Sequence, residues 1–303
     1  MILSLLVVGS VAYDTIETVQ SKVVDALGGS ATYISLAASY FTHPVHLVGV
    51  VGSDFKKEHI DLLSKKNVDL KGLQIVEEGK TFRWSGRYHK NFNDRDTIST
   101  DLNVFETFNP IIPDELKNDD FIMLGNIDPP LQLNVLEQIN KPKLTVLDTM
   151  NLWINIKKAE LLEVLKNIDV LIINDSEAEL LTGEANLVKA AKQILNIGMK
   201  YLIIKKGAHG AVLFNCDKVF SAPAYPLENL VDPTGAGDTF AGGFLGYLSM
   251  QSEINFEVMR KAVVYGSVMA SFCCEDFSTS ALENLTEEKI RNRFNEFAEI
   301  ARF

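Results

Sequence analysis

The stretch Asp232-Pro-Thr-Gly-Ala-Gly-Asp238-Thr-Phe-Ala-Gly-Gly-Phe244 gathers the residue types that chemistry on an anion requires. Gly235 and Gly237 permit a tight turn with convergent backbone N–H groups, and Phe240, Phe244 and Tyr247 then recur at helical spacing. A loop of small residues therefore opens a helix, where unsatisfied N–H groups and the helix dipole both favour negative charge. Asp238 falls in the first turn. A carboxylate beside an anion cradle suits a reaction in which a hydroxyl loses its proton while a phosphoryl group accepts the oxygen. Taken in isolation, the same residues also read as a turn followed by a carboxylate that stabilises the dipole. Gly242-Gly243 would let the helix approach a neighbour or a nucleotide closely.

Other groups of this kind sit at the ends of apolar runs. Asn174 and Glu177 offer an amide and a carboxylate to a hard cation that keeps part of its water shell, and the same segment holds good helix caps. Lys205 and Lys206 lead into Gly207-x-x-Gly210, a turn in which either lysine could face phosphate. A later helical stretch, 258–272, carries Ala262, Gly266, Ser267 and Ala270, which would admit an adenine or a neighbouring helix. There is no Walker A string, no G-x-S-x-G and no H-E-x-x-H, and the five histidines show no ligand spacing. Cys216, Cys273 and Cys274 form no C-x-x-C, so they read as small apolar filler in a reduced chain.

The elements that must position these groups alternate. Short β-branched or Leu-rich runs at 5–8, 45–51, 120–124, 144–147, 170–173, 201–204 and 211–214 predict strands. Helix-period stretches at 31–40, 131–139, 159–165, 187–195 and 240–248 lie between most of them. That alternation predicts an α/β fold, a mainly parallel sheet covered on both faces, with its site beyond the carboxyl ends of the strands. Those ends carry Gly9-Ser10, Gly125-Asn126, Asp148-Thr149, Asn174-Asp175 and Lys205-Lys206-Gly207.

Two stretches, 13–24 and 80–104, break the pattern: the first lacks helical period, and the second alternates Phe82, Trp84 and Tyr88 against Arg83, Ser85 and Arg87 before a polar turn at 91–96. They predict a small β appendage over the strand ends, serving as a lid or a homodimer surface. The lid aromatics would stack on a base or form the sheet's apolar face, and its arginines would reach a substrate or solvate the sheet. No linker divides the chain, so residues 1–303 read as one domain. Residues 1–8 read as a first buried strand, not a signal peptide, and no run reaches the ~18 apolar residues of a membrane span. A net charge of −11 opposes nucleic acid or an anionic membrane as partner and favours a small-molecule substrate, in a soluble cytoplasmic protein.

Residues 232–245 resemble the second signature of the ribokinase, or PfkB, carbohydrate kinase family. The resemblance extends in order through Gly9-Ser10 and Asp14, Gly28-Gly29, Val48-Gly-Val-Val-Gly-Ser-Asp54, Lys66-Asn-Val-Asp69, Asn174-x-x-Glu177 and Lys205-Lys-Gly-Ala-His-Gly210. It implies a three-layer α/β/α domain with a β lid that transfers the γ-phosphoryl group of ATP to a hydroxyl or hydroxymethyl group. By that resemblance Asp238 is the general base, and the amides of Gly235, Ala236 and Gly237 form the anion hole. Asn174 and Glu177 position Mg2+ and phosphate through water. Asn174, Lys205, Gly207, Gly210, Gly266 and Ser267 fall on the nucleotide side, and a monovalent cation is a further cofactor that the family allows. Asp14, Gly28 and Gly29 map to the residues that hold substrate hydroxyls.

Two departures bear on the acceptor. Sugar-phosphorylating members usually place an Asn on the helix after Gly-Gly, and Thr32 stands near that place. Many relatives carry an Arg two residues beyond Asn151, where this chain has Trp153. The missing cation and the negative charge point away from a sugar phosphate, towards a neutral sugar or nucleoside. A vitamin-precursor kinase of the same superfamily and a non-catalytic nucleotide-binding regulator are the alternatives.

Overall fold

The structure, a computed structural model, describes residues 3–19, 21–90, 92 and 95–302. The first third of the chain forms β1 (Leu5–Val8), β2 (Ala12–Glu17), β3 (Lys22–Gly28), α1 (Ser30–Ala38), β4 (Val45–Gly52), α2 (Lys57–Lys65), β5 (Val68–Val76), β6 (Phe82–Tyr88) and β7 (Arg95–Asp101). Then come β8 (Phe121–Leu124), α3 (Pro129–Gln138), β9 (Leu144–Asp148), α4 (Asn151–Ile156), α5 (Lys158–Leu165), β10 (Val170–Asn174), α6 (Asp175–Thr182) and α7 (Leu187–Leu195). The last third holds β11 (Tyr201–Lys205), β12 (Ala211–Phe214), β13 (Val219–Ala222), α8 (Ala236–Ser249), α9 (Phe256–Cys273), α10 (Ser280–Glu283) and α11 (Glu287–Ile300).

Nine strands make the main sheet in the order β13-β12-β11-β10-β9-β8-β1-β4-β5. Every neighbouring pair from β11 to β5 is parallel, and β12 runs antiparallel between β11 and β13. Both faces are buried, which is why the strands read as continuous apolar runs. Leu5 and Val7 point into a core shared with Ile34 of α1, Phe244 of α8 and Val263 of α9. Leu6 and Val8 point the other way, into a core with Val135 of α3, Leu161 of α5 and Ile194 of α7. The α/β/α layering follows from that alternation. Gly242 and Gly243 serve the neighbour reading: a side chain at Gly242 would strike the Ile34 carbonyl of α1, and one at Gly243 would crowd Met269 of α9.

The strands β5 and β13 escaped the sequence reading because they lie at the two edges, where polar residues interrupt the apolar run. Residues 1 and 2 of the expected first strand lie outside the described residues, and β1 begins at Leu5.

A separate four-stranded sheet has the order β3-β2-β6-β7 and is built from the two stretches that broke the pattern. Strand β3 runs on to Gly28, and β7 begins at Arg95, inside the expected polar turn; Asn91, Asn93 and Asp94 of that turn lie outside the described residues. Phe82 stacks on Phe105 at 5.2 Å, and the indole of Trp84 covers Gly86, so these two lid aromatics are engaged in packing. Arg83 is spent on Asp54 at 2.8 Å and Asp25 at 3.3 Å, and Arg87 on Glu17 at 2.7 Å. Among the described residues no helix is long and apolar enough to cross a membrane.

Candidate active site

Three neighbouring parallel strands end at one edge of the main sheet with Asp148, Asn174 and Lys205 as their last residues. Asn174 pairs with Lys205 across the ladder, and Ile172 pairs with Asp148. At the end of β1, Ser10 and the start of α1 are clamped together: the Ser10 N–H donates to Ser30 Oγ at 3.2 Å, and the Ser30 N–H to Ser10 Oγ at 3.0 Å.

The loop that opens α8 sits against these ends. Gly235 has φ 76°, the left-handed region that L side chains avoid, and any side chain there would run into the Tyr33 ring. A Cβ added at Gly237 would lie 2.9 Å from Lys205 Nζ, which itself stands 3.8 Å from Asp148 Oδ2. Lys205 is therefore the lysine that reaches this loop. Lys206 belongs to the turn, where its N–H donates to the Gly210 carbonyl at 2.7 Å, and Gly207 (φ 52°) and Gly210 (φ 87°) shape the reversal into β12. The expected anion hole needs one correction. The Ala236 N–H is engaged by the Pro233 carbonyl at 3.1 Å, whereas the N–H groups of Gly235, Gly237 and Asp238 have no acceptor among the described residues.

Asp232 holds this loop in shape. Its Oδ1 accepts from the Thr234 N–H at 2.8 Å and its Oδ2 from the Ser278 N–H at 3.2 Å. The Thr234 hydroxyl donates to the Tyr88 phenol at 3.1 Å, which brings the end of β6 onto the loop.

Charge is crowded here. Burial pushes the half-buried Asp238 up to about 7, aided by Asp148 and opposed by Lys205 and Arg95. Burial and then Asp148 push Glu177 up to about 7, and burial raises Asp148 against the pull of Lys205. Burial works against the charge on Lys205, yet Asp148, Glu177 and Asp238 together hold its pKa above the ordinary lysine value. Asn174 and Glu177 form a capping box: Asn174 Oδ1 accepts from the Glu177 N–H at 2.7 Å, and Glu177 Oε2 from the Asn174 N–H at 2.8 Å. The Asn174 side-chain oxygen is thus committed to the helix. Glu177 Oε1 has no protein partner among the described residues, and its charge-crowded carboxylate fits a divalent cation. No three His, Cys, Asp or Glu side chains among the described residues form a metal cage, so such a cation would complete its shell with phosphate and water.

Asp14 lies on the other side of the loop. It is 5% exposed, packs against Gly28, accepts from the backbone of Gly29, and is pushed up to about 7 by burial and then by Asp232 and Asp238. Thr32 departs from expectation: α1 is buried on every side, and the fully enclosed Thr32 hydroxyl opens onto no cleft. Gly266 faces the Phe240 carbonyl at the contact of α9 with α8, so its smallness serves helix packing, and Ser267 is buried beside it. Trp153 donates its indole N–H to Asn126 Oδ1 at 2.9 Å at the ends of β8 and β9. Sequence reading gave no role to Tyr33; Asp232 and Asp148 stood in the stretches it singled out, as the start of the glycine-rich segment and as a carboxylate at a strand end, and Tyr88 stood among the lid aromatics, but their contacts here were not foreseen. A cavity of about 510 Å3 lined by Phe272, Ser280, Asn284, Lys289 and Arg293 shares no residue with this cluster.

Residues 3–285 match the pfkB family of carbohydrate kinases. The chain belongs to this family. A curated cytidine kinase of Thermococcus kodakarensis is 32% identical to this pfkB kinase over 251 residues, covering 81% of this chain and 88% of the relative. The crystal structure of Methanocaldococcus jannaschii nucleoside kinase, an archaeal member of the ribokinase family, superposes with a TM-score of 0.78 at 22% identity, over 97% of this chain and 98% of that one. The Burkholderia thailandensis nucleoside kinase in complex with ADP-inosine gives 0.78 at 18% identity, over 96% and 95%. These two likenesses show the ribokinase fold, and the family match makes this chain a kinase of that superfamily.

Proposed function

We propose that this pfkB kinase transfers the γ-phosphoryl group of ATP to a hydroxyl of a nucleoside. The observation that carries the chemistry is the placement of Asp238 in the first turn of α8, behind positive-φ Gly235, with Lys205 Nζ against Gly237. The similarity to a cytidine kinase over four-fifths of the chain supports the acceptor class. Trp153, at the place where many relatives carry an Arg, supports an acceptor without a phosphate.

Asp238 takes the proton from the acceptor hydroxyl. A carboxylate near 7 is matched to that task at neutral pH, being both substantially ionised and basic enough to hold the proton. The free N–H groups of Gly235 and Gly237 and the ammonium of Lys205 meet the negative charge of the transferred group. Asp14, held by the Gly29 backbone, binds an acceptor hydroxyl and orients it. Magnesium, when bound, neutralises nucleotide phosphate charge, and Glu177 would hold it through its free oxygen.

The test is ADP release with Mg-ATP against separate cytidine, uridine, adenosine, inosine, ribose and fructose. The expected result is acceptor-dependent ADP with at least one nucleoside and a lower kcat/KM for both sugars. Turnover confined to the sugars would overturn the nucleoside assignment.

A further inference from the structure

Arg95 opens β7 and is paired across the ladder with Tyr88. Tyr88 accepts the Thr234 hydroxyl at 3.1 Å, and Thr234 precedes Gly235, so the small sheet carries Arg95 to the loop that opens α8. Its guanidinium stands 5.4 Å from the centre of the Trp84 ring, whose indole is braced over Gly86. Arg83 and Arg87, the other arginines of this sheet, are both consumed by carboxylates. Arg95 is exposed and makes no ion pair among the described residues, in a chain whose net charge is −11. Its charge is nonetheless felt at Asp14 of β2, Glu177 of α6 and Asp238 of α8. Its side chain also hydrogen-bonds the Tyr88 phenol, which itself accepts from Thr234, so the guanidinium stands beside the residue that fastens the small sheet to the loop before α8.

We infer that Arg95 is a catalytic residue of the transfer, a cation that meets the transferred phosphoryl group from the small sheet as Lys205 does from the strand ends. The inference rests on the kinase reading above and names a residue which that reading does not contain. The bond from the acceptor oxygen to phosphorus forms, the bond from phosphorus to the bridging oxygen of ADP breaks, ADP departs, and the acceptor proton goes to Asp238. Arg95 exchanges no proton. Charge in this transition state spreads over the equatorial phosphoryl oxygens, and a guanidinium presents two parallel N–H donors to such a group.

The full-length Arg95→Gln and Arg95→Lys variants are compared with wild type in two measurements: turnover with Mg-ATP and cytidine, and calorimetric binding of ATP and of ADP. The binding arm needs no acceptor. The expected Arg95→Gln result is a loss of about 10²–10³ in kcat, with ATP weakened several-fold relative to ADP, because ADP lacks the transferred group. Arg95→Lys recovers part of both. Unchanged kcat with an unchanged ATP-to-ADP affinity ratio would overturn the inference. Equal weakening of both nucleotides without rescue by lysine would also overturn it, since Arg95 would then only support the sheet. Asp238→Asn run beside them separates the two readings: turnover surviving in that variant removes the kinase mechanism, whereas turnover lost there but kept in Arg95→Gln removes only the role of Arg95.

Discussion

The Thr234 hydroxyl donates to the Tyr88 phenol at 3.1 Å, and both residues are buried, so the small sheet is fastened to the loop that opens α8. Strand β6 and the start of α8 are 146 residues apart in sequence at this contact, which makes it a long-range constraint on a short loop.

Tyr88→Phe removes that bond and leaves a buried hydroxyl without its acceptor, at a cost of about 1–3 kcal/mol. The expected outcome is a melting temperature lower by several degrees and a KM for the acceptor raised more than kcat is lowered. Thermal unfolding and steady-state kinetics of the one variant check both.

Gly235→Ala combines a left-handed backbone with a collision against Tyr33. The backbone alone costs about 1–2 kcal/mol, and the ring adds to it. Gly235→Ala combined with Tyr33→Leu relieves the collision but not the backbone, so thermal unfolding should show partial recovery of stability in the double variant.

The two adjacent lysines should separate cleanly. Lys205→Met withdraws the cation from among Asp148, Glu177 and Asp238, and the expected loss in kcat is on the order of 10²–10³. Lys206→Met alters a residue whose backbone makes the turn, and turnover should stay close to wild type. Parallel kinetics on the two purified variants decide it.

Stability and turnover should run in opposite directions with pH. Asp14, Glu177 and Asp238 are each pushed up to about 7, burial being the first cause. The folded state therefore binds protons more tightly than the unfolded chain between about pH 4 and 7. Their contribution to stability is fully present below that window and is lost as pH rises through 7. The role proposed for Asp238 requires its ionised form, so kcat should rise through the same range and then level. Melting temperatures of wild type and Asp238→Asn between pH 5 and 9 test the sign: the variant should lose less stability as pH rises from 5 through 7, and the two should run parallel above about 8.

Much of this architecture was legible because its signals are local. The runs that became β1, β8, β9, β10, β11 and β12 are apolar on both faces, and the glycines before Asp238 announce a helix opening without any tertiary context. The edge strands β5 and β13 were hidden, since half-exposed strands dilute the apolar signal with polar residues. Strand β7, with every residue exposed, carried no burial pattern at all, and that concealed Arg95. Which of Lys205 and Lys206 reaches the cradle depends on where β11 ends, a matter of strand phase. Thr32 was drawn towards a ligand by its place after Gly28-Gly29 and Gly266 by its smallness, whereas the packing of α1 and α9 had already claimed them. Tyr33 and Tyr88 reach the loop before α8 only through contacts between elements far apart in the chain.

The role proposed for Asp238 is removal of the acceptor proton at an anion cradle formed by the start of α8. Its most direct test is the turnover of Asp238→Asn with Mg-ATP and the best acceptor of the panel, measured together with calorimetric ATP affinity on the same preparation. The expected result is a fall in kcat of about 10²–10⁴ with ATP affinity close to that of wild type. Near-normal turnover in Asp238→Asn, in a variant that still binds ATP and melts as a folded protein, would contradict it.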